Sequence, residues 1–139
     1  MTTYFTHESV LFFTIRVILG ILFFFQGVDK IFNVKIAGVI DFFREESKHK
    51  PIPDFILSSS AYITSYIEFL CGGLLILGLF KTQALYLLGI DLILVSGAFS
   101  LLKPMWDMQL LFPRLLLLAI LLYLPHQWDV LSLDFLFGR

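Results

Sequence analysis

Cysteine is almost absent from this sequence. The 139 residues include a single one, Cys71. Thiol–disulfide exchange of a dithiol enzyme needs a second thiol, because one sulfur must resolve the mixed disulfide that forms on the other. The sequence therefore excludes autonomous dithiol chemistry.

Histidine and net charge are also scarce. The three histidines, His7, His49 and His126, all lie in segments that we interpret as flanks or loops, so no buried metal or haem site with histidine ligands is predicted. Lys and Arg together number 10, against 11 Asp and Glu. Without a basic excess, the chain is not expected to bind nucleic acid.

Apolar residues, by contrast, are abundant. They make up 58% of the chain, with 16 Phe among them, and the mean hydropathy is +0.88. This is more apolar surface than one small soluble core can bury, so the surplus must face lipid. No cleavage signal of small residues follows the first apolar run, so that run is predicted to be a retained membrane helix.

Four apolar runs predict an all-α integral membrane protein, a four-helix bundle in one domain. The predicted spans cover about residues 9–32, 54–80, 84–102 and 110–124. The segment between the first two spans is too short and too charged to cross a bilayer, so we interpret it as an amphipathic interfacial helix that ends near Arg44. Residues 103–109 are predicted to form a loop with an interfacial Trp106.

Alternating helix directions define two sides of the bundle. Side A holds both termini, and side B holds the segment around Arg44. Basic residues are more numerous on side B, and this favours a cytoplasmic side B; they are Lys35, Arg44, Lys48, Lys50 and Lys103.

A few charges lie inside the predicted spans. Arg16 is buried in the first span and needs a partner on another helix. Asp91 lies at the same depth, counted from side A, so the sequence predicts an ion pair between the two. Glu68 lies near the midplane without an obvious counter-ion. An unpaired carboxyl there would be protonated and could donate a hydrogen bond.

These charges are the candidate site residues. Arg16, Glu68 and Asp91 are predicted to form a polar ligand-binding cluster, with Lys30 and Arg114 as secondary candidates. A purely structural interpretation stays open, in which Arg16 and Asp91 orient two helices. Lys30 and Arg114 are near helix ends, where long side chains can simply reach the interface.

The pattern of small and charged residues resembles the DoxX family. The first part of the resemblance is Arg16, Gly20, Phe23, Gly27 and Lys30, and the second is Glu68, Gly72, Gly73, Leu77 and Gly78 with Lys81 and Thr82. The tail around Ser132, Leu133 and Asp134 is also similar to the ending of that family. The resemblance implies a four-helix bundle in the bacterial inner membrane and a link to redox chemistry, but it brings no catalytic residue and no metal site.

Three functions follow as expectations. The first is an accessory or quinone-contacting subunit of a membrane redox complex, in which a quinone carbonyl accepts from Arg16 or protonated Glu68. The second is an assembly or scaffold protein that docks on another membrane protein through its glycine-notched helices. The third is a small carrier or a proton relay through Glu68. A membrane protein partner is expected, and self-association is left open.

Overall fold

The computed structural model describes residues 6–102 and 108–138, and the predicted all-α fold is confirmed there. Six α-helices are present, with a π-helical turn at Asp29–Asn33 and a 3-10 turn at His126–Trp128. The α-helices are α1 His7–Val28, α2 Lys35–Glu46, α3 Asp54–Leu77, α4 Lys81–Leu102, α5 Met108–Tyr123 and α6 Leu133–Leu136. The predicted positions of Lys103 and Trp106 lie outside the described residues.

Within the described residues, three helices are long and apolar enough to cross a membrane. They are His7–Asn33, Asp54–Leu77 and Lys81–Leu102. The fourth apolar run is a shorter helix, Leu111–Tyr123, so the fourth span remains a prediction. This arrangement of helices is consistent with the predicted helical membrane bundle.

Helices α1 and α3 pack closely because glycines line their contact. A methyl group added at Gly27 would lie 2.5 Å from the backbone nitrogen of Phe69, and one added at Gly20 would lie 2.9 Å from the backbone nitrogen of Ile76. The glycine-notched face of α1 is therefore filled by α3 of the same chain. This close contact fixes the two helices that carry Arg16, Lys30 and Glu68.

The end of α3 is defined by a glycine in the left-handed region. Gly78 has φ +70, and the Leu79 amide donates to the carbonyl of Leu74 at 2.9 Å. A residue without a Cβ adopts this conformation at little cost. The chain then turns back directly into α4, so α3 and α4 are antiparallel neighbours.

The predicted amphipathic segment is present as α2. Its apolar residues Ile36, Val39 and Ile40 pack with Ala61 of α3 in a small core of their own. At its end, Arg44 Nη2 donates to Asp54 Oδ2 at 2.8 Å. Helix α2 is thus held against α3 at the side-B end of the bundle.

Candidate ligand-binding site

Arg16 is completely buried, with 1% of its surface exposed, and its partner is not Asp91. Its Nε lies 3.3 Å from Oδ1 of Asp129, in the tail after α5. The guanidinium also donates to the carbonyls of Leu75 and Leu131. The predicted Arg16–Asp91 pair is therefore wrong, because the tail and the last carbonyls of α3 supply the acceptors at side A.

Further polar contacts hold the tail. Lys81 Nζ lies 3.1 Å from Oδ2 of the same Asp129. Asp134 accepts from the backbone amides of Phe80 at 3.0 Å and Lys81 at 3.1 Å. These amides begin α4 and have no carbonyl acceptor within the helix, so Asp134 acts as a cap supplied by the tail. We name Arg16, Lys81, Asp129 and Asp134 the tail cluster.

Glu68 has a counter-ion, contrary to the sequence prediction. Lys30 Nζ lies 2.9 Å from Oε1 and 2.8 Å from Oε2 of Glu68, and the carboxyl group is buried. Lys30 belongs to the π-helical turn at Asp29–Asn33. A π turn holds more residues than an α turn and so changes the face on which the following side chains lie. Lys30 itself stays on the helix face of Gly20 and Gly27, which pack against α3, the helix of Glu68.

Asp91 and Arg114 complete a second group of charges. Asp91 is fully buried and has neither a hydrogen bond nor an ion pair within the described chain; its charge interacts with those of Glu68, Lys30 and Arg114. Arg114 is half-buried, with its guanidinium carbon 5.5 Å from the ring centre of Phe23. We name Lys30, Glu68, Asp91 and Arg114 the inner cluster.

The predicted set of site residues is thus divided in two. Arg16 belongs to the tail cluster, where the charges that act on it are those of Asp129 and Asp134. Glu68 and Asp91 are together in the inner cluster, where the two secondary candidates join them. Asp129, which sequence reasoning did not consider, replaces Asp91 as the partner of Arg16.

A cavity of about 140 Å³ opens beside Glu68. Three polar side chains line it, and they come from α1, α3 and α5: Gln26, Glu68 and Arg114. The side-chain oxygen of Gln26 is buried and accepts no hydrogen bond from the described residues. Phe23, Leu92, Val95, Phe99 and Leu111 form the remaining wall. We name this cavity the polar chamber.

The family model of DoxX matches residues 11–102. The chain belongs to the DoxX family. The match covers α1 to α4, apart from the first residues of α1, and so includes Lys30, Glu68 and Asp91 but not Arg114 or the tail. No curated protein and no solved structure matches the chain. Family membership and the apolar helices together make this a multi-pass membrane protein.

A second and larger cavity adjoins the polar chamber of this DoxX protein. Its volume is about 330 Å³. Its wall is mostly apolar and includes Val34, Val39, Phe42, Phe43, Leu94 and Ala98. Gln26, Val95 and Phe99 line both cavities, so the two are neighbours that share one wall. We name the larger cavity the apolar chamber; α2 forms part of it.

A tightly packed apolar layer separates the two charged clusters. On α1, Leu19 lies between Arg16 and Lys30, and on α4, Leu85 and Leu88 lie between Lys81 and Asp91. With Leu75 and Leu121, these side chains are at most 1% exposed and belong to one core. Among the described residues, the polar chamber is therefore closed toward side A.

No group of His, Cys, Asp or Glu within residues 6–102 and 108–138 is arranged to hold a metal ion. The two chambers together offer a different kind of site. One end has polar side chains that both donate and accept hydrogen bonds, and the other end is wide and apolar. This combination suits a small amphipathic molecule with a compact polar head group.

Proposed function

We propose that this DoxX protein is a small inner-membrane subunit that holds a quinone for a redox partner protein. The head group occupies the polar chamber, and the isoprenoid chain lies in the apolar chamber. The observation that carries the proposal is the shared wall of the two chambers, formed by Gln26, Val95 and Phe99. The proposal requires that the chain of one amphipathic molecule pass between these three side chains.

Arg114 supports this proposal as the head-group donor. It lines the polar chamber, and the described residues include no acceptor that forms a hydrogen bond or ion pair with it. A guanidinium in that position can donate to a carbonyl or hydroxyl oxygen of a ligand. Arg16, which the sequence suggested for this role, makes its polar contacts with the tail and with the last carbonyls of α3.

Glu68 lies on the same chamber and is an acceptor. Because Lys30 contacts both of its carboxylate oxygens, Glu68 is positioned as an ion-paired carboxylate and does not serve as a donor. A bound quinone would supply the electron-carrying chemistry. The residues of this chain would bind the head group, orient it and exclude water from it.

The two other expected functions have less support. A scaffold that docks through the glycines of α1 or α3 would need a free face there, but Gly20, Gly27 and Gly72 line the contact between these two helices. A carrier or transmembrane proton relay would need a polar route across the bundle. The apolar layer around Leu75 and Leu88 lies where that route would have to pass.

Purification from bacterial membranes in mild detergent tests the proposed function. We expect quinone in the lipid extract at a stoichiometric ratio, together with a co-purifying chain that carries a redox cofactor. Val95→Trp fills the wall between the chambers and should lower the quinone content about tenfold or more. Ile93→Trp adds the same side chain at an exposed position of the same helix, outside both chambers, and serves as the matched control.

Two results would contradict the proposal. One is an extract of the unmodified protein without quinone. The other is equal quinone content in the unmodified protein and in a folded Val95→Trp variant, because the bound molecule would then lie elsewhere on the surface.

A further inference from the structure

Polar side chains are distributed unequally on the two sides of the polar chamber. Toward side A, the apolar layer around Leu75 and Leu88 closes it among the described residues, and both side chains are completely buried. Toward side B, polar residues continue along two helices. We infer that water reaches the polar chamber from side B and not from side A. Protons taken up or released in the chamber are then exchanged with side B. This one-sided access goes beyond the proposed function and does not depend on which molecule binds.

One row of polar residues lies on α3. Thr64 and Ser60 precede Glu68 by one and two helical turns in the direction of side B, and both line the apolar chamber. The hydroxyl of Thr64 donates to the carbonyl of Ser60 at 2.9 Å, and its oxygen can still accept a hydrogen bond from water. Two turns beyond Glu68 in the direction of side A, the same face carries Leu75, which has no polar side-chain atom. The polar face of α3 therefore leads from the polar chamber to side B.

The second row lies on α1. Gln26 lines both chambers, and Lys30, one turn later, lines the apolar chamber. Lys30 is about one turn from Asn33, where the first apolar helix ends on side B. In the direction of side A, the residues one and two turns before Gln26 are Phe23 and Leu19, which are buried in the core. The polar residues of α1 at the chambers therefore also lead toward side B.

The ion pair of Lys30 and Glu68 connects the two rows. Glu68 lines the polar chamber and Lys30 lines the apolar chamber, and their charged atoms are 2.8 Å apart. The side chain of Lys30 is 20% exposed, whereas that of Glu68 is 1% exposed. Lys30 is thus the partner that can reach the side-B interface. A molecule that fills both chambers would displace water from them but would leave this polar contact between the buried carboxylate and side B.

Cysteine labelling in sealed membrane vesicles of both orientations tests the one-sided access. Single cysteines replace Gln26, Thr64 or Leu75 in a Cys71→Ala background, and the probe is the small anionic thiol reagent sulfonatoethyl methanethiosulfonate. We expect Gln26→Cys and Thr64→Cys to react from side B about tenfold faster or more than from side A, because a charged reagent does not cross the apolar layer. Leu75→Cys, within that layer, is the matched control and should react from neither side.

Two exposed positions identify the sides in the same vesicles. Glu45→Cys, in α2, should react from side B, and Gln83→Cys, near the start of α4, should react from side A.

A blocking variant tests the route itself. Ser60→Trp places a bulky side chain in the wall of the apolar chamber toward side B. It should slow the side-B reaction of Gln26→Cys about tenfold, because a close-packed wall leaves little room for the reagent. Ile93→Trp adds the same side chain at an exposed position of α4 outside both chambers, and it should leave the rate unchanged.

Several results would overturn the one-sided access. They are a reaction of Gln26→Cys or Thr64→Cys from side A or from neither side, a reaction of Leu75→Cys from either side, and an unchanged rate in a Ser60→Trp variant that is folded by its thermal unfolding. None of these measurements requires bound quinone. The proposed function fails separately, if the purified protein carries no quinone.

Discussion

The carboxylate of Asp129 lies between two buried cations, 3.3 Å from Arg16 Nε and 3.1 Å from Lys81 Nζ. The three residues come from α1, from the start of α4 and from the tail. One carboxylate therefore holds together the side-A ends of two helices and the last segment of the chain. This set of ion pairs has a structural role, since the polar chamber, which is proposed to bind the ligand, lies beyond the apolar layer.

The first prediction concerns this carboxylate. Asp129→Asn removes the carboxylate that the buried Arg16 and Lys81 share, so the free energy of unfolding should fall by about 3–5 kcal/mol. Chemical denaturation in detergent micelles measures the loss. Asp41→Asn is the control, because Asp41 pairs with Arg44 on the exposed surface and should cost less than about 1 kcal/mol.

A double-mutant cycle checks that the loss comes from this contact. Arg16→Met combined with Asp129→Leu should be more stable than the sum of the single changes implies, since neither charge is then left alone. Strict additivity would show that the two side chains do not interact. The same cycle with Asp91 in place of Asp129 should be additive.

The difference between Asp91 and Asp129 shows what the sequence could and could not predict. Apolar runs that are long enough to cross a bilayer as helices predict membrane-spanning helices. The all-α fold class was predicted from these runs. Comparing how deep each charge lies in the membrane can pair only residues inside the predicted spans. Asp129 lies outside them, in a tail that folds back onto the bundle. The partner of Arg16 was therefore outside the set that the sequence argument compared.

The pairing of Lys30 with Glu68 was missed for a different reason. Lys30 lies on the same α-helical face as Gly20 and Gly27, which pack on α3, so ideal spacing places it toward the helix of Glu68. The sequence argument instead treated Lys30 as a residue near a helix end and Glu68 as a midplane carboxyl without a counter-ion. The glycines, in contrast, were recognised from the sequence as close-packing positions. The helix that approaches Gly27 is α3 of the same chain and not a helix of a partner protein.

The second prediction concerns glycine packing. Gly27→Ala places a methyl group 2.5 Å from the backbone of Phe69, so α1 and α3 must separate, and unfolding should become easier by about 1–3 kcal/mol. Gly97→Ala is the matched control in a helix of the same kind, because a Cβ there meets no described atom within 4 Å. Equal melting temperatures for the two variants would contradict the close packing of α1 on α3.

The third prediction concerns α5 as a fourth span. The tail after α5 contacts Lys81 at the start of α4, whereas α5 follows the opposite end of α4. The 16 residues of α5, about 24 Å long at the α-helical rise, must therefore return across the bundle. Single cysteines introduced at the exposed positions Gln83 and Gln127, in a Cys71→Ala background, should react with an impermeant label from the same side of the membrane.

A cysteine at Glu45, in α2, is the comparison for this labelling experiment. It should react from the opposite side. If Gln127→Cys reacts from the side of Glu45→Cys instead, α5 does not cross the membrane and the four-helix bundle is wrong.

The fourth prediction compares the two members of the inner ion pair. Lys30→Met leaves the carboxylate of Glu68 buried and without its partner, which should cost about 3–5 kcal/mol of unfolding free energy. Glu68→Gln leaves Lys30 alone, but the side chain of Lys30 is 20% exposed and can reach toward the interface. We therefore expect Lys30→Met to be the more destabilising change in chemical denaturation. The reverse order would mean that Lys30 is the less hydrated partner.

The last prediction separates two roles of Glu68. If Glu68 accepts a hydrogen bond from a hydroxyl of the reduced head group, the quinol, Glu68→Gln keeps an acceptor oxygen and should retain most of the quinone found with the purified protein. Glu68→Ala removes the acceptor and should lower quinone content about tenfold. If Glu68 instead exchanges protons, Gln cannot titrate, and both variants should lose the activity of the redox complex. Full quinone content, partner binding and expression in Glu68→Ala would show that the inner cluster only sets how the helices pack.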